Sequence, residues 1–60
     1  MTEPEAAADC ADARDNYEKA PSPTTAHHWR RAALVWLGTL DAPYTQAEVC
    51  RASEACEEWF

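Results

Sequence analysis

The stretch that decides the fold is residues 24–40, TTAHHWRRAALVWLGTL, the most apolar part of the chain. Its large apolar side chains recur at steps of three and four, which is the period of an α-helix with one buried face. Thr24-Thr25 can cap the start of this helix, and Gly38 fits a C-terminal stop, where a left-handed residue is often required. We therefore predict a central helix over about residues 26–37. Its apolar face carries Trp29, Ala33, Trp36, Leu37 and Leu40, with Leu34 at the margin.

A second helix is predicted before it, over about residues 3–20. Thr2 and Glu5 have the spacing of a capping box, and Pro4 is tolerated in a first turn. Proline cannot continue a helix, so Pro21-Ser22-Pro23 ends it. The predicted buried face is mostly alanine, which allows close packing against a neighbour, and consists of Ala6, Cys10, Ala13, Tyr17 and Ala20.

A third helix is predicted over about residues 46–60. Thr45 and Glu48 form another capping-box pattern, and Tyr44 can pack on Val49 as a hydrophobic staple. Ser53 could instead cap a separate last helix, so the segment is either one helix or two helices split near residue 53. The predicted apolar face consists of Val49, Ala52, Cys56 and Trp59.

The fold class that follows is an all-α, small three- or four-helix bundle in a single domain spanning residues 1–60. No alternating run competes with the helical pattern, and the chain contains no isoleucine. A core of this size rarely supplies more than about 3–5 kcal/mol. We therefore expect the chain to depend on a partner, on self-association or on tight helix packing.

The net charge argues against direct binding of nucleic acid. The net charge is −6, whereas a free nucleic-acid binder of this size is normally basic. Both ends are acidic, while residues 21–40 contain Arg30 and Arg31 and no acid. This pattern favours acidic outer helices around a mildly basic central helix, although the same charges would also serve solubility alone.

No catalytic or metal site is expected. Cys10, Cys50, Cys56, His27 and His28 are nominally enough zinc ligands, but structural zinc ligands usually come in close pairs. Adjacent histidines on a helix do not face each other, and a single glycine allows no phosphate loop. We predict a protein that is not an enzyme and uses no cofactor, with Cys10 and Cys56 as small core residues. The odd cysteine count and the absence of a basic-then-apolar leader favour the reducing cytoplasm, and no apolar run is long enough to cross a membrane.

Residues 45–60 resemble a helix-turn-helix core, with Arg51-Ala52-Ser53 as the turn. The candidate recognition helix after it contains three acids and no base, which opposes docking on phosphates. Because the helix-turn-helix resemblance stands despite this charge, a small helix-turn-helix-like transcriptional regulator is kept as an alternative. It would need dimerisation and a basic surface built from Arg30, Arg31 and Arg51.

Two acidic clusters are the candidate partner-binding site. Carboxylates three residues apart on a helix lie about 5–6 Å from each other, a spacing broadly similar to that of phosphates along one DNA strand. Such a row can occupy a basic nucleic-acid groove. Aromatic side chains favour interfaces, so Phe60 is a candidate anchor, whereas Trp59 is expected to fold back on Trp29 and Trp36. The predicted site consists of Asp9, Asp12, Asp15 and Glu18 in the first cluster, Glu54, Glu57 and Glu58 in the second, and Phe60.

In size, acidity and helical content, the chain resembles the small phage-encoded inhibitors grouped as anti-CRISPR proteins and DNA mimics. The resemblance is to the class and matches no motif. It implies a cytoplasmic protein in a bacterial host that binds the basic surface of a nucleic-acid-binding complex as a monomer or homodimer, without binding nucleic acid itself. A helical assembly adaptor, whose alanine-rich first helix packs on a partner helix, is a further alternative.

Overall fold

A computed structural model describes residues 2–39 and 43–59, which form a small all-α bundle as predicted. Helix α1 spans Glu3–Lys19, α2 spans Pro23–Thr39 and α3 spans Pro43–Glu57. Helix α2 is central and packs against both α1 and α3. Within these residues there is no strand, and no helix is both long enough and apolar enough to span a lipid bilayer.

The core is built mainly from small side chains. Among the described residues, Trp29 is the only large apolar side chain that is buried. Tyr17, Trp36 and Val49 pack against the core but stay partly exposed. The burial of Cys10 and Cys56 agrees with their prediction as core residues. The remaining buried apolar residues are Ala6, Ala13, Ala26, Ala33, Ala52 and Ala55.

Helix α2 begins earlier than predicted because a different residue caps it. The Ser22 Oγ accepts a hydrogen bond from the Thr25 backbone N–H at 3.1 Å, and the Thr25 Oγ1 accepts one from the Ser22 N–H at 3.0 Å. This reciprocal pair satisfies two backbone donors at the helix start. The expected cap at Thr24-Thr25 is wrong, since both residues lie inside the first turn after Pro23. Helix α1 does end before Pro21, with Ala20 as its C-cap.

The expected stop at Gly38 is also wrong. Helix α2 continues through Gly38 to Thr39, and no glycine in the described residues has a positive φ. The Thr39 hydroxyl donates to the Trp36 carbonyl oxygen at 2.8 Å, so the last turn is closed by a side chain. Leu40, which we placed on the apolar face, lies outside the described residues.

Helix α3 begins at Pro43, so Tyr44 and Thr45 lie in its first turn. The predicted capping box of Thr45 and Glu48 and the staple of Tyr44 on Val49 are therefore wrong, because both require these residues to precede the helix. The Tyr44 ring packs on Trp36, with ring centroids 5.7 Å apart. At the start of α1, Thr2 is the N-cap by position, but within the described residues its side chain makes no capping hydrogen bond.

The last segment is one helix. Residues 51–53 lie inside α3, which runs without a break to Glu57 and does not extend to residue 60. The turn that a helix-turn-helix core requires at Arg51-Ala52-Ser53 is therefore absent from the described part of the chain, and this feature of the regulator alternative is wrong.

Candidate functional site

A buried carboxylate joins the three helices. Glu48 of α3 is 6% exposed, and its Oε1 accepts three hydrogen bonds from other helices. The donors are the Trp29 indole N–H at 3.0 Å, Arg14 Nη1 at 3.2 Å and the Cys10 thiol at 3.9 Å. Arg51, one turn along α3, lies 3.6 Å from the other carboxylate oxygen. An ionised carboxyl group can be buried only when charges and donors compensate it in this way.

Helical periodicity explains why Glu48 points inward. It shares one face of α3 with Ala52 and Ala55, four and seven residues further on, and Thr45 lies three residues before it on the same face. The capping-box pattern of Thr45 and Glu48 instead predicted that Glu48 lies in the first turn of the helix and bonds back to its cap. The signal that could have revealed it is the alanine spacing, which places Glu48 on the buried stripe.

The Cys10 thiol beside Glu48 is unreactive. Burial, followed by the nearby Glu48 carboxylate, raises the pKa of Cys10 from an ordinary 9.0 to about 11. The thiolate is the reactive form of cysteine, so Cys10 stays protonated and unreactive at neutral pH. The Glu48 centre therefore holds the helices together and offers no nucleophile.

This centre also determines the charge of the surface. Two of the five cations of the chain, Arg14 and Arg51, are committed to Glu48, and Lys19 pairs with Asp15 at 3.4 Å. The Arg30 Nε donates to the Ser53 hydroxyl at 3.2 Å. The basic surface that a DNA-binding regulator would need is therefore divided, because Arg51 faces an acid and Arg30 joins α2 to α3.

The carboxylate row of α1 is exposed but does not lie on one face. Asp9, Asp12, Asp15 and Glu18 are all at the surface. A step of three residues falls short of a full helical turn, so the row winds through about 180° between its ends. Asp9 and Asp12 line an open groove between α1 and α2, opposite His28 and Arg31. Asp15 and Glu18 lie further along α1, outside this groove.

A network around Tyr17 joins the C-terminal part of α1 to the end of α3. The Tyr17 hydroxyl donates to Glu58 Oε2 at 3.3 Å and accepts from the Trp59 indole N–H at 3.1 Å. The Tyr17 ring also packs on Trp29, with centroids 5.6 Å apart. The C-terminal ends of α1 and α3 therefore lie together. We call their exposed carboxylates the acidic end, which consists of Asp15, Glu18, Glu54, Glu57 and Glu58.

The aromatic residues near the acidic end differ from expectation. Trp59 was expected to fold back on Trp29 and Trp36, but it contacts Tyr17 and is 42% exposed. That expectation is wrong because Tyr17 occupies the space beside Trp29. Phe60, the predicted anchor, lies outside the described residues.

Several of these carboxylates oppose the stability of their own helices. Glu18 lies in the last turn of α1, and Glu54 and Glu57 lie in the last turn of α3. The C-terminal end of a helix carries a partial negative charge, so a carboxylate there is unfavourable by about 0.3–1 kcal/mol at low ionic strength. Solubility alone would be served equally well by acids at helix N-termini, where the dipole favours them.

The described residues contain no group of three or more His, Cys, Asp or Glu side chains arranged to hold a metal ion. Comparison with protein-family models, with curated proteins and with solved structures finds no match to this chain, so the resemblance to anti-CRISPR inhibitors stays a prediction.

Proposed function

We propose that this protein is a small acidic inhibitor that binds a basic, nucleic-acid-binding surface of another protein through its acidic end. The observation that carries the proposal is the approach of the C-terminal ends of α1 and α3, which both carry exposed carboxylates and are joined by the hydrogen bonds of Tyr17 to Glu58 and Trp59. The protein would act by occupying the surface and would perform no chemistry on its target.

The electrostatics support this role. Adjacent carboxylates lie about 5–6 Å apart on each helix and belong to a compact body, so few conformations are lost on binding. A basic target would attract them over a Debye length and would relieve the repulsion among them. The unfavourable position of Glu54 and Glu57 at a helix C-terminus is then offset in the complex by cations of the partner.

The finer proposal is that the target belongs to a bacterial nucleic-acid-binding complex and that the inhibitor is of the anti-CRISPR or DNA-mimic type. The partially exposed indole of Trp59 lies beside Glu58 and would add apolar contact to the ionic ones. Asp9 and Asp12 lie on the groove between α1 and α2, so they are not assigned to this surface.

The test is capture of partners from bacterial lysate on immobilised protein, followed by elution with salt or with duplex DNA. We expect the captured protein to be a nucleic-acid binder that leaves at high salt and is displaced by DNA. Glu18→Lys and Glu57→Lys should each weaken capture at least fivefold, because each reverses a charge of the acidic end.

The matched control is Glu5→Lys, which makes the same charge change on an exposed residue in the first turn of α1, away from the acidic end. It should retain capture, and circular dichroism should show that all three variants are folded. Equal loss in all three would mean that only net charge matters. Capture that resists both salt and DNA would overturn the proposal.

A further inference from the structure

One face of the molecule differs from the acidic end in both shape and charge. It consists of the groove between α1 and α2, with a volume of about 370 Å³, and of the exposed ridge of α2 beside it. Alanine side chains form much of the floor, so a helix can approach closely. Val35, which is 42% exposed, lines this groove. Leu34, the preceding residue of α2, is 45% exposed and lines a neighbouring depression with Arg30 and Arg31.

The groove holds charges of both signs. Asp9 and Asp12 of α1 and Arg31 of α2 line it together. Among residues 2–39 and 43–59, neither aspartate forms an ion pair, and the same is true of Arg31. These charges are therefore available to a partner, and a partner that satisfies all of them must itself offer a cation and an acid at matching positions.

We propose that the occupant of this face is a second copy of the same chain. In a two-fold symmetric contact the same patch meets itself, so each patch must contain both halves of every interaction. This patch does so. Its ridge of Leu34 and Val35 can enter the alanine-floored groove of the other copy, and its Arg31 can reach Asp12 of that copy while its own Asp12 receives the reciprocal arginine.

The size and the core of the chain agree with this arrangement. A standard interface buries about 800 Å² on each partner, which is about a fifth of the 3903 Å² surface of this chain. One face of the two 17-residue helices α1 and α2 can supply it. Since Trp29 is the only large buried apolar side chain among the described residues, covering Leu34 and Val35 would add substantially to the apolar area removed from water.

The acidic end lies outside this face, so the proposal does not rest on the function proposed above. The two proposals can fail independently. A dimer that captures no basic target would contradict only the proposed function, and a monomer that captures one would contradict only the proposed dimer. Sedimentation equilibrium of the purified protein over a micromolar to millimolar series should give a mass twice the 6.7 kDa of the chain.

The decisive experiment uses two variants that repel themselves but attract each other. Arg31→Glu places acids opposite acids in its own dimer, and Asp12→Arg places arginines opposite arginines. Each variant alone should dissociate at least tenfold more readily than the wild type. In an equimolar mixture, the new Glu faces the new Arg and the native Asp12 faces the native Arg31, so the heterodimer should form, as native mass spectrometry would show.

Lys19→Glu and Glu18→Arg are the matched controls, since they make the same charge changes on exposed residues at the end of α1, outside the groove, and should leave the dimer intact. A wild type that stays monomeric throughout the series overturns the proposal. A dimer that is unaffected by both groove variants also overturns it, because the copies then meet elsewhere. A mixture that stays monomeric while each variant is folded shows that the aspartate and the arginine do not meet across a two-fold axis.

Discussion

At the scale of single residues, Glu48 has the greatest influence on the fold. Its carboxylate collects donors from α1 and α2 and a cation from its own helix, and no buried side-chain nitrogen or oxygen within the described residues lacks a hydrogen-bond partner. Taking a charge out of water costs several kcal/mol, so a Glu48 that lacked some of its partners would stabilise the fold less than an apolar residue at the same position. Glu48 therefore specifies how the three helices meet more than it adds to their stability.

We predict that Glu48→Gln lowers the free energy of unfolding by about 1–3 kcal/mol, because the amide removes the counter-charge of Arg14 and leaves a buried donor group poorly matched. Urea unfolding followed by tryptophan fluorescence measures this change. Glu54→Gln, an exposed change of the same kind in the same helix, should stay within about 0.5 kcal/mol of the wild type. Equal effects of the two variants would contradict the assigned role of Glu48.

Cys10 gives a second prediction at this scale, on pH. Its thiol has a pKa of about 11 in the folded chain against an ordinary value of 9.0, so the folded state holds its proton longer than the unfolded state. The stability linked to this proton is complete below pH 9.0 and is lost as the pH rises towards 11. Cys10→Ser cannot titrate there, so its unfolding free energy should fall less steeply over this interval. Parallel curves for the two proteins would contradict the prediction.

At the scale of helices, the faces were predictable and the ends were not. The spacing of three and four placed Cys10, Ala13, Trp29, Ala33 and Ala52 on buried stripes, because burial follows the helical period whatever the ends do. The start of α2 depends on a reciprocal contact of Ser22 with Thr25, which competed with the equally plausible Thr24. The signal that favours Ser22 is Pro23, since proline is common at the first position of a helix, but Pro21-Ser22-Pro23 is equally typical of a helix end and was interpreted as one.

The cap can be tested directly. Ser22→Ala should lower the free energy of unfolding by about 1 kcal/mol, since it leaves the Thr25 backbone N–H without its acceptor at the start of α2. Thr24→Ala is the matched control, because Thr24 is exposed and lies one residue inside the helix. It should change the unfolding free energy by a few tenths of a kcal/mol at most. A larger loss from Thr24→Ala than from Ser22→Ala would show that the expected cap at Thr24-Thr25 operates after all.

The candidate site was predictable only as a list of carboxylates. Sequence spacing identified the exposed acids of α1 and α3, but it treated Asp9 to Glu18 as one row. The helical twist divides that row between the groove and the acidic end, and the Tyr17 network decides which part of α1 meets α3. Contacts between residues about forty positions apart depend on how the helices pack, so local pattern could not supply them.

At the scale of the whole molecule, charge is unevenly compensated. Arg14 and Arg51 are both committed to the single buried acid Glu48, so this centre has a formal charge of +1 and the rest of the chain carries 10 acids and 3 bases, or −7, against the net charge of −6. Repulsion among these surface carboxylates opposes the compact state, and salt screens it within a Debye length of about 10 Å at 0.1 M ionic strength. The buried contacts of Glu48 are screened much less.

We therefore predict that stability rises with salt. The urea midpoint of the wild type should increase as the ionic strength goes from about 0.01 M to about 0.15 M, because screening relieves surface repulsion more than it weakens buried pairs. Glu57→Gln removes one repelling charge at the C-terminus of α3 and should reduce the increase. A midpoint that falls with salt would mean that attractive ion pairs dominate the stability of the chain.

Trp29 and Trp59 lie in different environments, and this difference can be used to follow binding and unfolding separately. Trp29 is enclosed beside Glu48, whereas Trp59 stands at the acidic end with its indole on the Tyr17 hydroxyl and much of its ring in water. Trp29 and Trp59 therefore sense different events, and replacing Trp36, which packs on Tyr44, with Phe would leave these two as the only tryptophan signals. A partner that covers the acidic end would shift the emission of Trp59 to the blue and shield it from a soluble quencher, while the signal of Trp29 would change only on melting. The molecule thus carries its own label-free reporter of occupancy, separate from its reporter of unfolding.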